Sequence, residues 1–244
     1  MRSHRWKLAL ALALLAAASG PVRASEDTDT PGAGRWEINL GLRGQSSAGL
    51  WELAAPEADV NYGWGECTQL MLALQRLELH ARGQPRRTGM GSATIGLKWR
   101  FADQEQAGLD LALLPSYSRS VSSGAVRRGL LEPGDSLVLP LVAGIKTGAT
   151  GWYAEAGRNF VENGADEWLA GFKLTHPCLP SLECRFEIQR SLARGQLGHT
   201  ESGVGLKWRI SDELVLQASA ARDVHPRDAS RHQLIVKTGI QLLR

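Results

Sequence analysis

Apolar and polar side chains alternate along most of the chain after Ser25, with the period of two that a β-strand with two different faces requires. In WEINLGLR (36–43), tryptophan, isoleucine and leucine fall on one face, whereas glutamate, asparagine, glycine and arginine fall on the other. The pattern predicts twelve strands, near 35–43, 51–63, 68–80, 91–101, 108–118, 135–144, 151–160, 167–175, 182–190, 201–210, 213–222 and 231–243.

The lengths of these strands and the order of their connections favour a membrane barrel over a soluble sandwich. Most strands have about 9 to 11 residues, as a tilted strand that crosses a bilayer does. Short connections, near 64–67, 102–107, 145–150, 176–181 and 211–212, alternate with longer ones, near 44–50, 81–90, 119–134, 161–166, 191–200 and 223–230. Short turns at one end and longer loops at the other are typical of outer-membrane barrels. The predicted fold is therefore all-β, a transmembrane antiparallel up-and-down β-barrel of about 12 strands.

The first residues have the features of a secretory signal peptide. Arg2, Arg5 and Lys7 precede the apolar stretch Leu8–Ala18, and VRA (22–24) offers small or apolar residues at the −3 and −1 positions of a cleavage site. An uncleaved anchor would need about 20 apolar residues. We predict a signal peptide over 1–24, a short periplasmic N-terminal segment over 25–34 and the barrel over 35–244, with export through the periplasm to the bacterial outer membrane.

The tryptophans support the same arrangement because they fall at predicted strand ends. A soluble sandwich would bury tryptophan in the middle of its strands, whereas a membrane barrel carries aromatic girdles at both interfaces. With a periplasmic N-terminus, the predicted interface aromatics are Trp36, Trp64, Trp99, Trp152 and Trp208 at the periplasmic edge and Trp51 and Trp168 at the outer edge.

With apolar side chains facing lipid, the alternate positions face the lumen and are mostly polar. Both signs of charge occur in similar number, whereas a strongly selective ion channel more often has a ring of one sign. The mixed lining indicates either ion pairs that fill the barrel or a narrow polar path for small solutes, and strand number does not decide between them. The lumen-lining candidates are Glu37, Asp59, Lys98, Arg100, Asp110, Glu155, Lys173, Arg185, Glu187, Lys207, Arg209 and Lys237.

The pentapeptide GLKWR occurs twice, at Gly96–Arg100 and Gly205–Arg209. The copies fall on the fourth and tenth predicted strands, which stand opposite each other in a closed barrel of twelve. The lysine and arginine of each copy then form two facing basic pairs near the periplasmic mouth. The repeat is either a remnant of duplicated halves or a convergence on one strand pattern.

Arginine, and no lysine, occurs in the predicted outer loops and their flanks. Because a guanidinium group binds phosphate through two parallel hydrogen bonds, Arg86, Arg87, Arg127 and Arg128 are candidates for contact with lipopolysaccharide. The alternative is that they belong to solvated loops that nearby carboxylates partly neutralise.

The sequence points to no metal, cofactor or catalytic centre. It contains no CxxC or Cys/His spacing and no GxSxG stretch. Cys178 and Cys184 either form a disulfide, as an exported chain permits, or are unpaired like Cys67. A lipid-modifying enzyme is the least favoured alternative, and His80 and His232, at strand ends on the outer side, would be tested first.

Four stretches carry a resemblance to a known family: PEADVNYGW (56–64), TQLMLAL (68–74), GSATIGLKWRF (91–101) and LVLPLVAG (137–144). Their order resembles the family of outer-membrane proteins named for the MetA pathway of phenol degradation, often labelled transporters. The resemblance implies an outer-membrane β-barrel that passes small, aromatic or hydrophobic compounds, and it carries over no catalytic residue. Barrel proteins usually end on an aromatic that the assembly machinery reads, but this chain ends in Arg244.

We therefore expect a monomeric channel or transporter-like barrel for small solutes. Its expected partners are outer-membrane lipid, lipopolysaccharide and the outer-membrane assembly machinery, and no nucleic acid. A structural or lipopolysaccharide-anchored barrel without conductance is the alternative.

Overall fold

The computed structural model describes residues 26–47, 49–193, 198–224 and 234–244, and these ranges are mostly β-strand. Their strand segments are β1 (Trp36–Ser47), β2 (Leu50–Gly63), β3 (Thr68–Ala81), β4 (Arg87–Ala102), β5 (Asp110–Leu113), β6 (Ser116–Ser120), β7 (Ser136–Thr147), β8 (Thr150–Val161), β9 (Glu167–Leu179), β10 (Leu182–Ala193), β11 (His199–Arg209), β12 (Leu214–Asp223) and β13 (Leu234–Leu243). Two short helices lie in connections, α1 (Gln104–Ala107) and α2 (Ser123–Arg127). No helix in the described ranges is long and apolar enough to cross a membrane.

The strands close into one antiparallel barrel. β1 pairs with β2 on one side and with β13 on the other, so that Asn39 lies opposite both Asp59 and Gln241. β5 and β6 are two parts of one strand, because each pairs with β4 and with β7. Leu114 and Pro115 separate them, and a proline nitrogen has no hydrogen to donate to a neighbouring strand. The predicted all-β, up-and-down barrel of twelve strands is confirmed.

The two ends of the barrel differ in their connections. We call the end where Trp36 and Arg244 exchange backbone hydrogen bonds the inner end, and the opposite end the outer end. At the inner end only two residues separate β7 from β8, whereas at the outer end the connection 121–135 separates β6 from β7 and carries α2. Short turns are typical of the periplasmic side of outer-membrane barrels, and the periplasmic position of the inner end stays a prediction.

Three predicted connections are mostly strand in the structure, and one of them is 145–150, where β7 ends at Thr147 and β8 begins at Thr150. β1 continues to Ser47 and β2 begins at Leu50, so most of 44–50 is strand rather than loop. At the inner end β9 continues to Leu179, so most of the predicted connection 176–181 is strand as well. Backbone hydrogen bonds extend these ladders past the apolar positions from which the strands were predicted, because every amide and carbonyl group needs a partner.

Burial in this barrel is inverted relative to a water-soluble protein. Arg43 is only 2% exposed, whereas Leu72 and Ile95 are 57% and 58% exposed. In soluble proteins charged residues are rarely buried and large apolar residues usually are. A polar interior inside an apolar outer wall is the arrangement of a barrel that stands in lipid.

The predicted interface tryptophans lie at strand ends on this outer wall. Trp36 begins β1 and contacts Tyr62 of β2, with ring centroids 4.7 Å apart. Exposed side chains occur at Trp36, Trp64, Trp99, Trp152 and Trp208 at the inner end and at Trp51 and Trp168 at the outer end. Their contact with lipid head groups stays a prediction.

Candidate functional site: the barrel interior

The chain before β1 enters the barrel. We call residues Glu26–Gly34 the N-terminal segment. Thr28 of this segment is 0% exposed, and its hydroxyl donates a hydrogen bond to Asp110 of β5, with Oγ1 and Oδ2 3.3 Å apart. The sequence predicts a periplasmic segment over 25–34, and its side of the membrane stays a prediction; the structure adds that Glu26–Asp29 contacts the inner wall of the barrel. The physical reason is charge: the segment is acidic, and lysines face it.

A glycine-rich turn leads from the interior to the start of β1. Gly32 and Gly34 have φ angles of 89° and 73°, in the left-handed region that favours glycine. The Gly34 amide donates to the carbonyl of Gly63 at the end of β2, at 2.9 Å. A Cβ atom at position 63 would lie 1.8 Å from the Gly32 carbonyl oxygen. The path of the segment therefore requires a glycine in the wall as well as glycines in the turn.

Asp27 is the most strongly bound residue of the segment. Its carboxylate lies between Lys98 of β4 and Lys173 of β9, at 3.2 Å and 2.9 Å from their Nζ atoms. Burial alone would raise the pKa of Asp27, but the positive charges of Lys173, Lys98 and Lys207 outweigh burial and hold it well below the ordinary value of 3.8. Asp27 is therefore ionised in the assembled barrel.

Neighbouring residues of the segment make further polar contacts. Lys98 Nζ also donates to the Asp29 carbonyl at 3.0 Å, and the Asp29 carboxylate accepts from Lys146 Nζ at 2.7 Å near the inner rim. The backbone amide of Glu26 donates to the Glu155 carboxylate of β8 at 3.2 Å. Contacts from β4, β7 and β8 thus hold the segment across the lumen.

The wall beside the segment is partly apolar. Tyr153 is buried together with Ala112, Leu114 and Val142, all on the inner face of β5, β7 and β8 or next to them. Lys173 Nζ lies 5.0 Å from the centroid of the Tyr153 ring, a cation–π distance. Lys173 therefore stands next to an aromatic and aliphatic surface.

A second polar network occupies the middle and outer interior. Arg43 of β1 donates to Gln45 (2.9 Å), Gln75 (3.1 Å) and Glu52 (3.3 Å), and it also pairs with Glu57 at 3.4 Å. Each of the three guanidinium nitrogens of the buried Arg43 thus has an acidic or amide partner, as a buried charge requires.

Sequence periodicity missed the acidic member Glu52. The pairing register between β2 and β3 shifts between Ala54 and Glu57. Because of this irregularity, the inward-facing positions of β2 are even-numbered before it and odd-numbered after it. Counting back by twos from Asp59 therefore puts Glu52 on the lipid face, whereas it is buried and bonded to Arg43. The proline at position 56 is the signal in the sequence that points to such an irregularity.

The predicted lumen residues fall into distinct environments. Lys98, Asp110, Glu155 and Lys173 are buried and contact the N-terminal segment. Asn39 donates to both Glu37 (3.0 Å) and Asp59 (2.9 Å). Arg185 pairs with Glu187 at 3.0 Å, Arg100 with Asp103 at 3.8 Å, Lys207 and Lys237 are half-buried, and Arg209 is exposed.

The longest described connection folds onto the outer mouth. Ala125 of α2 and Leu130 pack against Ala54, Leu77 and Leu79, which are buried on the inner side of β2 and β3. The connection 121–135 therefore covers part of the opening instead of standing above it.

The four arginines predicted to contact lipopolysaccharide mostly bind protein groups. Arg87 Nη1 donates to the Arg128 carbonyl at 2.7 Å, and Arg128 Nη2 donates to the Thr88 carbonyl at 3.0 Å, which ties the connection to β4. Arg86 forms an ion pair with Glu78. Arg127 is exposed, with Nη1 3.4 Å from Ser123 Oγ, beside an open pocket of about 430 Å³.

The three cysteines and His80 lie away from the network around Arg43. A disulfide joins Cys178 of β9 to Cys184 of β10, and Cys67 is an exposed thiol in the turn after β2. His80 is exposed on β3, and His232 lies outside the described residues.

Comparisons with known proteins bear on the fold. No family model and no curated protein matches this chain. Among solved structures, the chain is similar to the COG4313 outer membrane channel from Pseudomonas putida F1, with a TM-score of 0.68 and 11% identity over 91% of this chain and 100% of the other. It is also similar to the KdgM porin (TM-score 0.57, 8% identity, 84% of this chain and 98% of that one) and the NanC porin (TM-score 0.58, 9% identity, 85% and 98%). This likeness supports the predicted resemblance only at the level of fold, a β-barrel that the chain shares with solved outer-membrane channels and porins.

Proposed function

We propose that this protein is an outer-membrane channel for small solutes whose inner half is closed by its own N-terminal segment. The observation that carries the proposal is that a segment of the chain, held by polar contacts, occupies the barrel interior. Glu26–Asp29 occupies the interior through ion pairs and hydrogen bonds, and a twelve-stranded barrel is wider than the eight-stranded barrels that wall side chains can fill. Water and ions can replace such polar contacts, so the segment can leave without unfolding the barrel.

The location and the partners are part of the same proposal. An apolar outer wall, tryptophans at both strand ends and the shared fold support the outer membrane. The similar structures are those of channels and porins, which supports small molecules as the solutes. Passage of aromatic or hydrophobic compounds rests on the resemblance seen in the sequence.

A lipopolysaccharide-anchored barrel without conductance is the competing function. Arg87 and Arg128 donate to backbone carbonyls of the connection 121–135 and of β4, so they hold the protein's own chain. Arg86, Arg127 and Arg128 are exposed, but Arg128 donates to the Thr88 carbonyl, so Arg86 and Arg127 remain the candidates for contact with a phosphate group. The interior filling has no role in this alternative.

Single-channel recording with a charge-reversal variant tests the proposal. Asp27→Lys places a positive charge between Lys98 and Lys173 and should drive the segment from the lumen. Glu105→Lys is the matched control, because it makes the same change in net charge on an exposed residue of α1 at the same end. We expect rare or small openings for the wild-type protein and Glu105→Lys, and frequent, larger openings for Asp27→Lys.

Folding must be verified in parallel, by circular dichroism and by the shift in gel mobility on heating that folded barrels show. If folded Asp27→Lys protein is as silent as the wild type in planar bilayers, the channel proposal is wrong and the anchored barrel is favoured.

A further inference from the structure

We infer that the inner half of the lumen is a binding site for small organic carboxylates with an apolar body, and that Asp27 occupies this site as an internal ligand. The inference rests on the proposed function, because it names the class of solute that a channel with this interior would take. It also predicts binding that can be measured without any current.

The arrangement of charges is that of a carboxylate site. Lys98 and Lys173 come from β4 and β9, which are not neighbours in the barrel, and their Nζ atoms lie 3.2 Å and 2.9 Å from the two oxygens of one carboxylate. Charge-assisted hydrogen bonds of this kind are about twice as strong as neutral ones. Lys207, the lysine of the second GLKWR copy, adds a third positive charge that acts on the same group. Two distant strands thus present paired donors to a single anion.

The carboxylates near the site do not cancel this preference. Asp110 accepts hydrogen bonds from the Gln104 backbone amide at 2.8 Å and from the Thr28 hydroxyl at 3.3 Å. The bond from Gln104 holds Asp110 against the first residue of α1. Glu155 accepts a hydrogen bond from the backbone amide of Glu26 at 3.2 Å. When the segment leaves, Lys98 loses both Asp27 and Glu26, and Lys173 loses Asp27, whereas Asp110 keeps its contact with the Gln104 amide.

The surface next to the lysines selects the rest of the ligand. The Tyr153 ring lies 5.0 Å from Lys173 Nζ, and Val142, Ala112 and Leu114 continue the apolar surface. A carboxylate held by the lysines would place its remaining atoms against this ring and these aliphatic groups. Apolar contact with Tyr153 favours an aromatic or aliphatic acid over a sugar acid, because a sugar would lose hydration without gaining hydrogen bonds. A cation is disfavoured by the three lysines.

The test measures binding of 4-fluorobenzoate to the full-length mature protein in detergent by ¹⁹F NMR. Asp27→Ala removes the carboxylate that Lys98 and Lys173 share and leaves its space open, whereas Glu26, 3.5 Å from Lys98 Nζ, is unchanged. Glu105→Gln is the control for loss of an acidic charge at the same end. Because the internal ligand competes for the site, we expect Asp27→Ala to bind at least about tenfold more tightly than the wild type or Glu105→Gln.

Two comparisons give the test its specificity. In the Asp27→Ala background, Lys98→Gln and Lys173→Gln should each weaken binding by roughly tenfold, as loss of one charged hydrogen bond does. Arg35→Gln, at an exposed arginine of the turn before β1, should leave it unchanged. 4-Fluorobenzyl alcohol and 4-fluorobenzylamine, which keep the ring and lose the negative charge, should bind at least about tenfold more weakly.

The outcomes separate this inference from the proposed function. Equal binding of 4-fluorobenzoate by Asp27→Ala with and without its two lysines, or preference for the amine, would overturn the carboxylate site even if the protein conducts. Lysine-dependent binding in a protein that never conducts would support the site and overturn the channel.

Discussion

Asp27 and Lys173 form an ion pair across the barrel interior, with Oδ2 and Nζ 2.9 Å apart, although 146 residues separate them in the sequence. The pair joins a segment that precedes the barrel to the inner face of β9. Because the same carboxylate contacts Lys98 at 3.2 Å, the segment is held from two sides of the wall. Removing one of these charges should therefore change the state of the lumen more than the stability of the barrel, since strand pairing does not depend on it.

Acid should release the segment through Asp27. Its pKa is held well below 3.8 when the segment is docked and returns to about the ordinary value when the segment is free. A lowered pKa stabilises docking above the free value, and this stabilisation is lost as the pH falls below about 3.8 toward the docked value.

Open probability in planar bilayers should then rise below pH 3.8, by up to about tenfold for each pH unit between the two pKa values. Asp27→Asn should lack this step, because it has no proton to gain at that position. A step of the same size in Asp27→Asn would assign the acid response to another group, such as Asp110 or Glu155.

Replacing Gly63 by alanine should expel the N-terminal segment without changing any charge. The added Cβ would lie 1.8 Å from the Gly32 carbonyl oxygen and 2.7 Å from its carbon, and backbone atoms cannot move aside at low cost. We expect amide hydrogen exchange in residues 26–34 to be faster by at least about tenfold, as for a locally opened segment. Ala33→Ser, at an exposed position of the same turn, should exchange like the wild type. Unchanged protection in Gly63→Ala would mean that the turn does not rest on this part of the wall.

Truncating Leu130 should loosen the connection over the outer mouth. Leu130 is buried against Leu77 and Leu79 of β3, and a buried leucine replaced by alanine costs about 2–5 kcal/mol. Trypsin should then cut at Arg127 or Arg128 in folded Leu130→Ala protein faster than in the wild type. Val121→Ala, at an exposed residue of the same connection, provides the comparison. Equal cleavage rates would contradict docking of the connection.

Removing the guanidinium of Arg43 should destabilise the whole barrel. Arg43→Met leaves the buried Glu52 without its nearest cation, and breaking a buried pair in this way costs about 3–5 kcal/mol. Unfolding by guanidinium chloride in detergent should show this loss, and the double variant Arg43→Met/Glu52→Gln should recover part of it.

Arg82→Met, at an exposed arginine of the β3–β4 loop, should stay within about 0.5 kcal/mol of the wild type. If the double variant were no more stable than Arg43→Met alone, the two residues would not be coupled.

Much of the wall follows from sequence alone. The alternation in 36–43 and in 91–101 predicts the faces of β1 and β4, because a strand has a strict period of two. It also predicts the approximate number of strands and the placement of the tryptophans. The alternation predicts the wrong face for Glu52, because an irregularity in β2 exchanges the inward and outward positions. It also predicts a loop at 44–50, where strand pairing in fact continues past the apolar positions.

The two GLKWR copies show where sequence stops and tertiary structure begins. Their strands, β4 and β11, lie six apart in the closed barrel, as the strand count predicts. Within the copies, Lys98 is buried against Asp27, Lys207 acts on the same carboxylate from a distance, and Arg209 is exposed. The sequence pattern alone determines which side chains face inward, because successive side chains of a strand alternate between its two faces. Which groups these side chains contact is decided only when the barrel closes. Asp27 lies between β4 and β9 through contacts between residues far apart in the sequence, and a repeating sequence pattern does not record such contacts.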